Sequence, residues 1–484
     1  LTRTTDATGA VTNFTYNSKG ELLTELDALG NLSSYQYDSR GRMTRETNAL
    51  AQVTTSTYNS NGDRLTETRT RTLGDGTTAT EITRFTYDSA NRPITTTAPD
   101  GSITRTEYDA LGNVKATVDA LGRRTEFTYD ELGRQTRTDH PDGTFDLTGY
   151  DAENRRISST DRANRTTTYE YDPAGRLRKT FLSDSPTVPI SEQVYDEVGR
   201  LDQSIDARGH ATTFGYDDSG RRTTITDALN QITFTAYDPA GNQVALTDPR
   251  GNTTAFVYDA GNRLTRTIAP DASFRTTGYD ALGRRTSETD ESGKVTQFGY
   301  DALGRLTTVT DALNQVTTYA YDEAGNRISQ TDANGHVTRF EFDSVGRQTK
   351  RILPDGALER FAYDAVGNRT SRTDFLGRTT LYDYDLQSRL LRRIYPGNVQ
   401  VSFTYTATGR RLTATDARGT TTYGYDTRDR VTSLTYPDGR SLEYAYDAVG
   451  NRTALTANVA GQTLTTSYTY DDLNRLDTVT DPIG

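Results

Sequence analysis

An aromatic residue followed by a turn recurs along almost the whole chain with a period of 21, and this period limits the fold more than any other feature. The aromatic is tyrosine at Tyr16, Tyr37, Tyr58, Tyr87, Tyr108, Tyr129 and onward to Tyr470, with Phe342 the one substitute. Of the 21 gaps between the 22 copies, 17 are 21 residues; the others are 29, 24, 20 and 24. A fixed period of this size marks a repeat architecture, in which each unit buries its faces only against its neighbours. The small insertions leave the next copy in phase, so they are expected in loops between strands.

Each copy carries two turn signals. The first is Tyr-Asp-x-x-Gly-Arg, as in Tyr300-Asp301-Ala302-Leu303-Gly304-Arg305. Four residues after the aromatic stands Gly in sixteen copies, and Asn91, Asn154, Asn262, Asn474 or Asp429 in five more. Only Ser388 departs. Gly, Asn and Asp share tolerance of positive φ, so this column reads as a left-handed position closing a type I turn. Six pairs represent it: Tyr37 with Gly41, Tyr129 with Gly133, Tyr216 with Gly220, Tyr300 with Gly304, Tyr363 with Gly367, and Tyr446 with Gly450. The second signal is Thr-Asp-Ala-Leu-Gly or a relative, as at Asp27–Gly30 and Asp311–Asn314. It becomes Pro-Asp-Gly at Pro99, Pro141, Pro354 and Pro437. Pro99 and Pro141 lie 42 residues apart, as do Pro354 and Pro396, which suggests a local unit of two repeats.

Between the turns run short segments such as Arg305–Thr310 and Val316–Tyr321, rich in strand formers and bounded by turn residues. In sixteen of 22 copies the residue two before the repeat aromatic is itself aromatic, as at Phe14, Phe127, Phe256 and Phe403. Residues two apart share a strand face, so one face should carry an aromatic row. The opposite face reads as mostly Thr, Arg and Asp.

Composition decides between one thick core and a thin wall. Only 33% of the residues are hydrophobic, and Leu, Ile, Val and Phe together make up under a fifth. That level flags disorder, but a net charge of only −11 over 484 residues and 30 tyrosines oppose it. Two strands per repeat give roughly 44 strands and a ribbon on the order of 200 Å long. Open sheets rarely exceed about 10 strands without curling. The fold class is therefore all-β: tandem β-hairpins in one long, coiled antiparallel sheet, wound as a spiral, a solenoid or the wall of a hollow body.

The repeated Tyr-Asp-x-x-Gly-Arg-x-Thr with interleaved Thr-Asp-x-x-Gly resembles the YD repeat of the Rhs family. That family includes bacterial polymorphic toxins, C subunits of insecticidal toxin complexes and animal teneurins. The resemblance covers essentially all of residues 1–484, read as a single continuous array with no separate catalytic or toxin domain. Lack of Cys and Trp favours the bacterial branch. The resemblance implies a non-catalytic shell around a C-terminal toxin cargo, with the cargo and a core segment of the same polypeptide as partners, along with secretion-system components. It also implies a secreted or cell-surface location. The chain starts in mid-repeat without Met, so a fragment truncated at both ends is expected, with its terminal strands prone to aggregate. A soluble monomer that unfolds cooperatively at high concentration would count against that. Asp481-Pro482-Ile483-Gly484 looks like the family's cargo junction, but Asp248-Pro249-Arg250-Gly251 shows the same string as an ordinary turn.

Other strings are weighed against turn chemistry. Asp218-Ser219-Gly220 matches an aspartic-protease triplet, but it falls within the first turn of its repeat, and such enzymes need two carboxylates sharing a proton. Gly74-Asp75-Gly76-Thr77-Thr78-Ala79 fits a loose dinucleotide fingerprint without the helix that motif requires, and reads as a longer hairpin loop. His140, His210 and His336 lie far apart without companions, so no metal or triad is expected, and no cofactor. The turn Asp residues could bind calcium weakly, but no Asp-x-Asp-x-Asp-Gly loop occurs. The Arg after the turn Gly, as at Arg42, Arg134, Arg221 and Arg347, is expected to pair with a turn Asp of a neighbouring repeat. The rival function is cell-surface adhesion, with Arg and aromatic rows binding carbohydrate or a cell-surface ligand. No apolar run could span a membrane, and no basic footprint suggests nucleic acid.

Overall fold

The computed structural model describes residues 2–74 and 76–482. They form one 45-stranded sheet in which each strand pairs antiparallel with its neighbours in sequence. Typical strands have five or six residues, such as Leu306–Thr310 and Val316–Tyr321. One 3-10 turn, Pro396–Asn398, interrupts the pattern. Alternate hairpin tips fall on opposite edges, so the ribbon has a Tyr rim of Tyr-Asp turns and a Thr rim of Thr-Asp turns.

The Tyr turn is built as its residue types demand. Gly304 N–H donates to the Asp301 carbonyl at 3.0 Å, and Asp301 N–H to Arg305 O at 3.0 Å. Gly304 has φ +78°, and Gly41, Gly133, Gly220, Gly367 and Gly450 lie between +75° and +104°. The non-glycine members of the column obey the same demand, including the odd one: Ser388 has φ +60°. The Cβ of an L-residue in this conformation costs roughly 1–2 kcal/mol, less for Asn. Gly304→Val is therefore expected to destabilise by about 1–2 kcal/mol and Gly304→Asn by much less. Urea titration followed by circular dichroism measures both.

Every hairpin closed by a Tyr turn also shows a register shift just before the aromatic, as between Gly299 and Tyr300 or Ala320 and Tyr321. The hairpins closed by Thr turns pair in simple register, as Thr308↔Thr318 through Thr310↔Val316. One bulge per repeat, always beside the same rim, bends and twists the sheet in one direction. The ribbon accordingly coils into almost two laps. Asp322 and Glu323 lie 251 residues beyond their partners Arg71 and Thr72, and Asp429 lies 264 beyond Arg165. One lap is thus about twelve hairpins: roughly 24 strands at about 4.8 Å make a circumference near 115 Å and a diameter near 37 Å.

The wall is one sheet thick. Its accessible area is 27294 Å², whereas a compact monomer of this mass exposes only about 18,000 Å². Only Ala116, Phe181, Tyr382 and Phe403 form buried apolar positions among the described residues. Both faces of the sheet stay open, and the shell is hollow.

One face carries the aromatics. In eight copies an arginine stands six residues after the repeat aromatic and lies over the aromatic row, as Arg222 over Phe214 at 4.2 Å and Arg411 over Phe403 at 4.7 Å. The opposite face carries threonine as expected, with cross-strand hydroxyl pairs at Thr57–Thr66 (2.6 Å) and Thr404–Thr413 (2.7 Å). Arg and Asp stand there too, as in the cross-strand pair of Arg392 with Asp383 and in Arg137 with Asp139. The turn aspartates sit at the rims, where they cap backbone amides, and other arginines lie over the rings of the aromatic face.

The insertions also differ from expectation. The 29-residue repeat does not lengthen a loop. It extends two strands, Arg64–Thr72 and Thr78–Tyr87, while the tip keeps the ordinary turn bonds of Gly76 N–H to Leu73 O and Leu73 N–H to Thr77 O. The insertion after Tyr446 likewise extends strands, to Arg452–Val459 and Gln462–Tyr470. Only the segment between Leu177–Leu182 and Ser191–Tyr195 is a true loop. An inserted hairpin segment that keeps its backbone paired leaves no amide unsatisfied, which favours strand over loop.

Candidate functional site

Two devices organise this wall, a ladder that joins neighbouring repeats and a seam that joins the laps. In the ladder, one arginine does three things. Arg305 Nε donates to its own turn carboxylate, Asp301 Oδ2, at 2.7 Å, and Nη1 donates to the carbonyl of the next turn, Asp322 O, at 2.9 Å. Its guanidinium covers the next aromatic, Tyr321, at 4.8 Å. Tyr321 completes the circuit by donating its hydroxyl to Leu306 O at 2.8 Å. The same geometry holds for Arg42, Arg134, Arg221 and Arg347 over Tyr58, Tyr150, Tyr237 and Tyr363. The expected pairing with a neighbour's Asp is therefore replaced by pairing with the arginine's own Asp. The planar guanidinium has donors enough for both bonds, and the five-residue turn brings its own carboxylate nearest.

The turn Asp is a hub. Asp38 Oδ1 accepts the amides of Arg40 and Arg42, and Oδ2 the Arg42 Nε. The arginine side chain first, and the amides with it, hold Asp38, Asp88, Asp130 and Asp196 below the ordinary carboxylate range. A lowered folded pKa stabilises fully above the unfolded value of about 3.9 and is lost as pH falls through the lower folded value. The urea midpoint is thus expected to be level from neutral pH to about pH 4, then to drop steeply as each repeat loses the same interaction. A midpoint unchanged down to pH 2 would contradict this.

The seam runs between the Thr rim of the first lap and the Tyr rim of the second. Along it, acceptors and donors alternate. Asp100, Asp142 and Asp184 take Arg347 (3.2 Å), Arg389 (4.0 Å) and Arg428 (3.3 Å) from the second lap. Interleaved with them, Arg123, Arg165 and Arg208 donate to Ser388 (3.0 Å), Asp429 (2.8 Å) and Asn474 (2.6 Å). Arg165 also holds the Asp429 carboxyl well below its usual range. The 42-residue spacing of Pro99 and Pro141 places the neighbouring Asp100 and Asp142 in this alternation. The non-glycine residues Ser388, Asp429 and Asn474 occupy left-handed positions where a first-lap arginine arrives, so their side chains offset the strain of positive φ.

The long hairpin of the 29-residue repeat clamps the seam at one point. Arg71 is 4% exposed, with Glu81 Oε1 at 2.7 Å, Asp322 Oδ2 at 3.3 Å and the Phe342 carbonyl at 3.2 Å. Arg69 Nε holds the second Glu81 oxygen at 2.7 Å, and Glu323 takes the Thr72 amide and hydroxyl, each at 2.7 Å. Sequence reasoning missed this cluster. Its signal was present: charged residues at alternate positions, Arg69, Arg71 and Glu81, in the one repeat of unusual length.

The candidate catalytic strings fall into turns. Asp217, not Asp218, is the turn carboxylate, bonded to the Ser219 and Arg221 amides, and Asp218 is an exposed tip. Gly74 sits at the tip of the long hairpin against Glu341, and Asp75 lies outside the described residues, as do Ile483 and Gly484 of the terminal string. His140 bridges Asp146 (2.6 Å) and Arg162 (2.7 Å), His210 meets Asp472 across the seam (3.3 Å), and His336 meets Asp332 (3.1 Å). Among the described residues no group of three or more His, Cys, Asp or Glu is arranged to hold a metal ion, and no helix is long and apolar enough to cross a membrane.

The RHS Repeat family model matches residues 16–53, 58–103, 108–144, 150–180, 195–232 and 425–463, and the Teneurin YD-shell model matches residues 231–435. The chain belongs to the Rhs/YD-repeat family. Its fold is that of solved toxin-complex shells. A crystal structure of TcdB2-TccC3-Cdc42 superposes with a TM-score of 0.81 at 15% identity, over 98% of this chain and 35% of that one. TcdB2-TccC3 without its hypervariable C-terminal region gives 0.68 at 15% identity, over 98% and 34%. The Photorhabdus luminescens Tc holotoxin pore carrying TccC3-D651A gives 0.65 at 16% identity, over 95% and 28%. This Rhs-type chain therefore spans about a third of the length of the solved chains it matches. No curated protein matches it.

Proposed function

We propose that this chain is a non-catalytic wall segment of a bacterial Rhs-type exported toxin, and that it encloses a C-terminal toxin domain of the same polypeptide. The observation that carries this reading is the architecture: nearly two laps of continuously paired sheet, one layer thick, joined along a seam. A wall acts by geometry. Continuous strand pairing leaves few free edges, and charge pairs hold one lap to the next. On this reading the columns at Tyr37 and Gly41, Tyr129 and Gly133, Tyr216 and Gly220, Tyr300 and Gly304, Tyr363 and Gly367, and Tyr446 and Gly450 are structural, and no residue is catalytic. The partners are the cargo, the core segment that closes the shell and the exporting machinery, and the location is outside the bacterial cell.

Limited proteolysis of the full-length polypeptide tests this. The C-terminal domain should survive while the shell is intact, and be cleaved once seam residues such as Arg71 and Arg165 are replaced by alanine. A domain digested as fast inside the full-length protein as when free would overturn the reading. The exposed arginine and aromatic columns favour one rival, carbohydrate binding by the wall itself. Binding of this chain to a glycan array, with no protected domain, would establish that instead.

A further inference from the structure

We propose that a row of arginines without counter-charge on the aromatic face lines the inside of the coil and binds extended acidic polypeptide, so that the wall grips its cargo there. That the natural ligand is the cargo rests on the container reading; the row itself does not.

The aromatic face is the concave one. In all 22 copies the residue two before the repeat aromatic is half-buried or buried, whether it is Phe403 or the smaller Ser56, Thr106 and Thr235. The next residue, on the opposite face, is exposed in 14 of the 17 copies where it is not glycine, including Thr57, Thr86 and Thr128. Threonine stands on both faces, so residue size does not explain the difference. Side chains converge on the inside of a curled sheet and splay on the outside, and the bulge beside each Tyr turn curls this sheet in one sense.

Six residues after the repeat aromatic, from Leu264 to Leu476, arginine alternates with Leu, Gln or Val. Arg327, Arg369, Arg411 and Arg452 thus fall in alternate repeats. Arg327 lies against Tyr319 (5.4 Å) and Phe340 (5.3 Å), and Arg369 against Phe361 (5.9 Å) and Tyr382 (4.8 Å). Arg411 covers Phe403 at 4.7 Å, and Arg452 covers Tyr468 at 4.5 Å. The rings hold each cation in place but supply no counter-ion. Among the described residues none of these four guanidinium groups has an ion pair or a hydrogen bond, and the Nε atoms of Arg369 and Arg452 are buried without a partner. The arginines of the Tyr turns differ, since each holds a carboxylate, as Arg305 holds Asp301. Glu359 stands on the inner face, but Arg351 (3.3 Å) and Arg372 (2.6 Å) share it, so it neutralises none of the row. The net charge of −11 does not oppose an acidic ligand here, because the turn aspartates sit at the rims.

Spacing favours an extended chain. Alternate repeats are four strands apart, about 19 Å along the wall and somewhat less at its inner surface. Extended polypeptide advances about 3.3 Å per residue, so carboxylates about four to six residues apart meet successive arginines. A guanidinium already fixed by rings receives a carboxylate through two parallel N–H bonds with little further ordering.

Fluorescence anisotropy of this chain with a labelled Gly/Ser peptide of about 30 residues, carrying Glu at about every fifth position, tests the row. At about 50 mM salt the Glu peptide should bind and its Lys counterpart should not, and at about 500 mM salt binding should weaken. The quadruple variant Arg327→Leu, Arg369→Leu, Arg411→Leu, Arg452→Leu introduces the residue that Leu306 and Leu390 already place in this column. It should keep its circular dichroism and bind the Glu peptide about tenfold more weakly or worse. Removing as many charges from the outer face, by Arg105→Thr, Arg266→Thr, Arg339→Thr and Arg360→Thr, should leave binding unchanged. Equal losses in the two variants would overturn the proposal, because the peptide would then be following net charge. So would a Lys peptide that binds as well, or capture of a sulfated polysaccharide without the Glu peptide. A protected C-terminal domain with no peptide binding would remove this row alone, whereas peptide binding with an unprotected domain would remove the container alone.

Discussion

Arg71→Ala is expected to destabilise the seam by about 3–5 kcal/mol, the largest single effect in the molecule. The substitution removes the cation shared by Glu81 and Asp322, both of which are 3% exposed. Arg69 still holds one Glu81 oxygen, but Asp322 keeps only its own turn bonds, to Ala324 and Asn326. A carboxylate left in that position has lost its counter-charge without regaining water. Replacing the group together, Arg71→Met with Glu81→Leu and Asp322→Asn, should cost far less, because no uncompensated charge remains. Repeat arrays melt locally rather than all at once, so the most direct measurement is amide hydrogen exchange. Exchange should quicken in Arg64–Thr72 and Thr78–Tyr87 and leave the distant strand Thr253–Tyr258 as it was. Equal protection in wild type and Arg71→Ala would show that the long hairpin does not clamp the laps.

Phe403→Ala is expected to cost about 3 kcal/mol, the low end for a buried aromatic because solvent reaches a one-layer wall easily. Phe403 is one of the few apolar side chains this wall buries, at 9% exposed, beneath the Arg411 guanidinium at 4.7 Å. Its loss removes both the apolar contact and the ring that Arg411 covers. Phe234, 50% exposed on the opposite face, is the control, and Phe234→Ala should stay within about 0.5 kcal/mol. Equal losses at the two positions in urea titration would mean that the aromatic face contributes no more than the threonine face.

Much of this was legible in local sequence. The left-handed column could be read from Gly, Asn and Asp, because positive φ excludes other residues by a contact within a single residue; Ser388 shows that the backbone demand outlasts the residue preference. The aromatic row followed from the two-residue strand period. The role of Arg305 was half legible. Its turn Asp was visible, but the choice of its own carboxylate over a neighbour's depended on where a bulged strand carries the guanidinium.

The sequence by itself determined the hairpin, its left-handed closure, the antiparallel pairing of neighbours and the absence of a thick core. All of these depend on contacts within one repeat or between adjacent repeats, which the 21-residue period writes out again and again. Only the tertiary structure decided the seam and the clamp that the longest insertion makes through Arg71. Those depend on residues some 250 positions apart. The bulge beside each Tyr turn adds a small bend, and about twelve such bends must accumulate before Arg165 meets Asp429. No local pattern encodes that sum, so the closing register became visible only when the lap was complete.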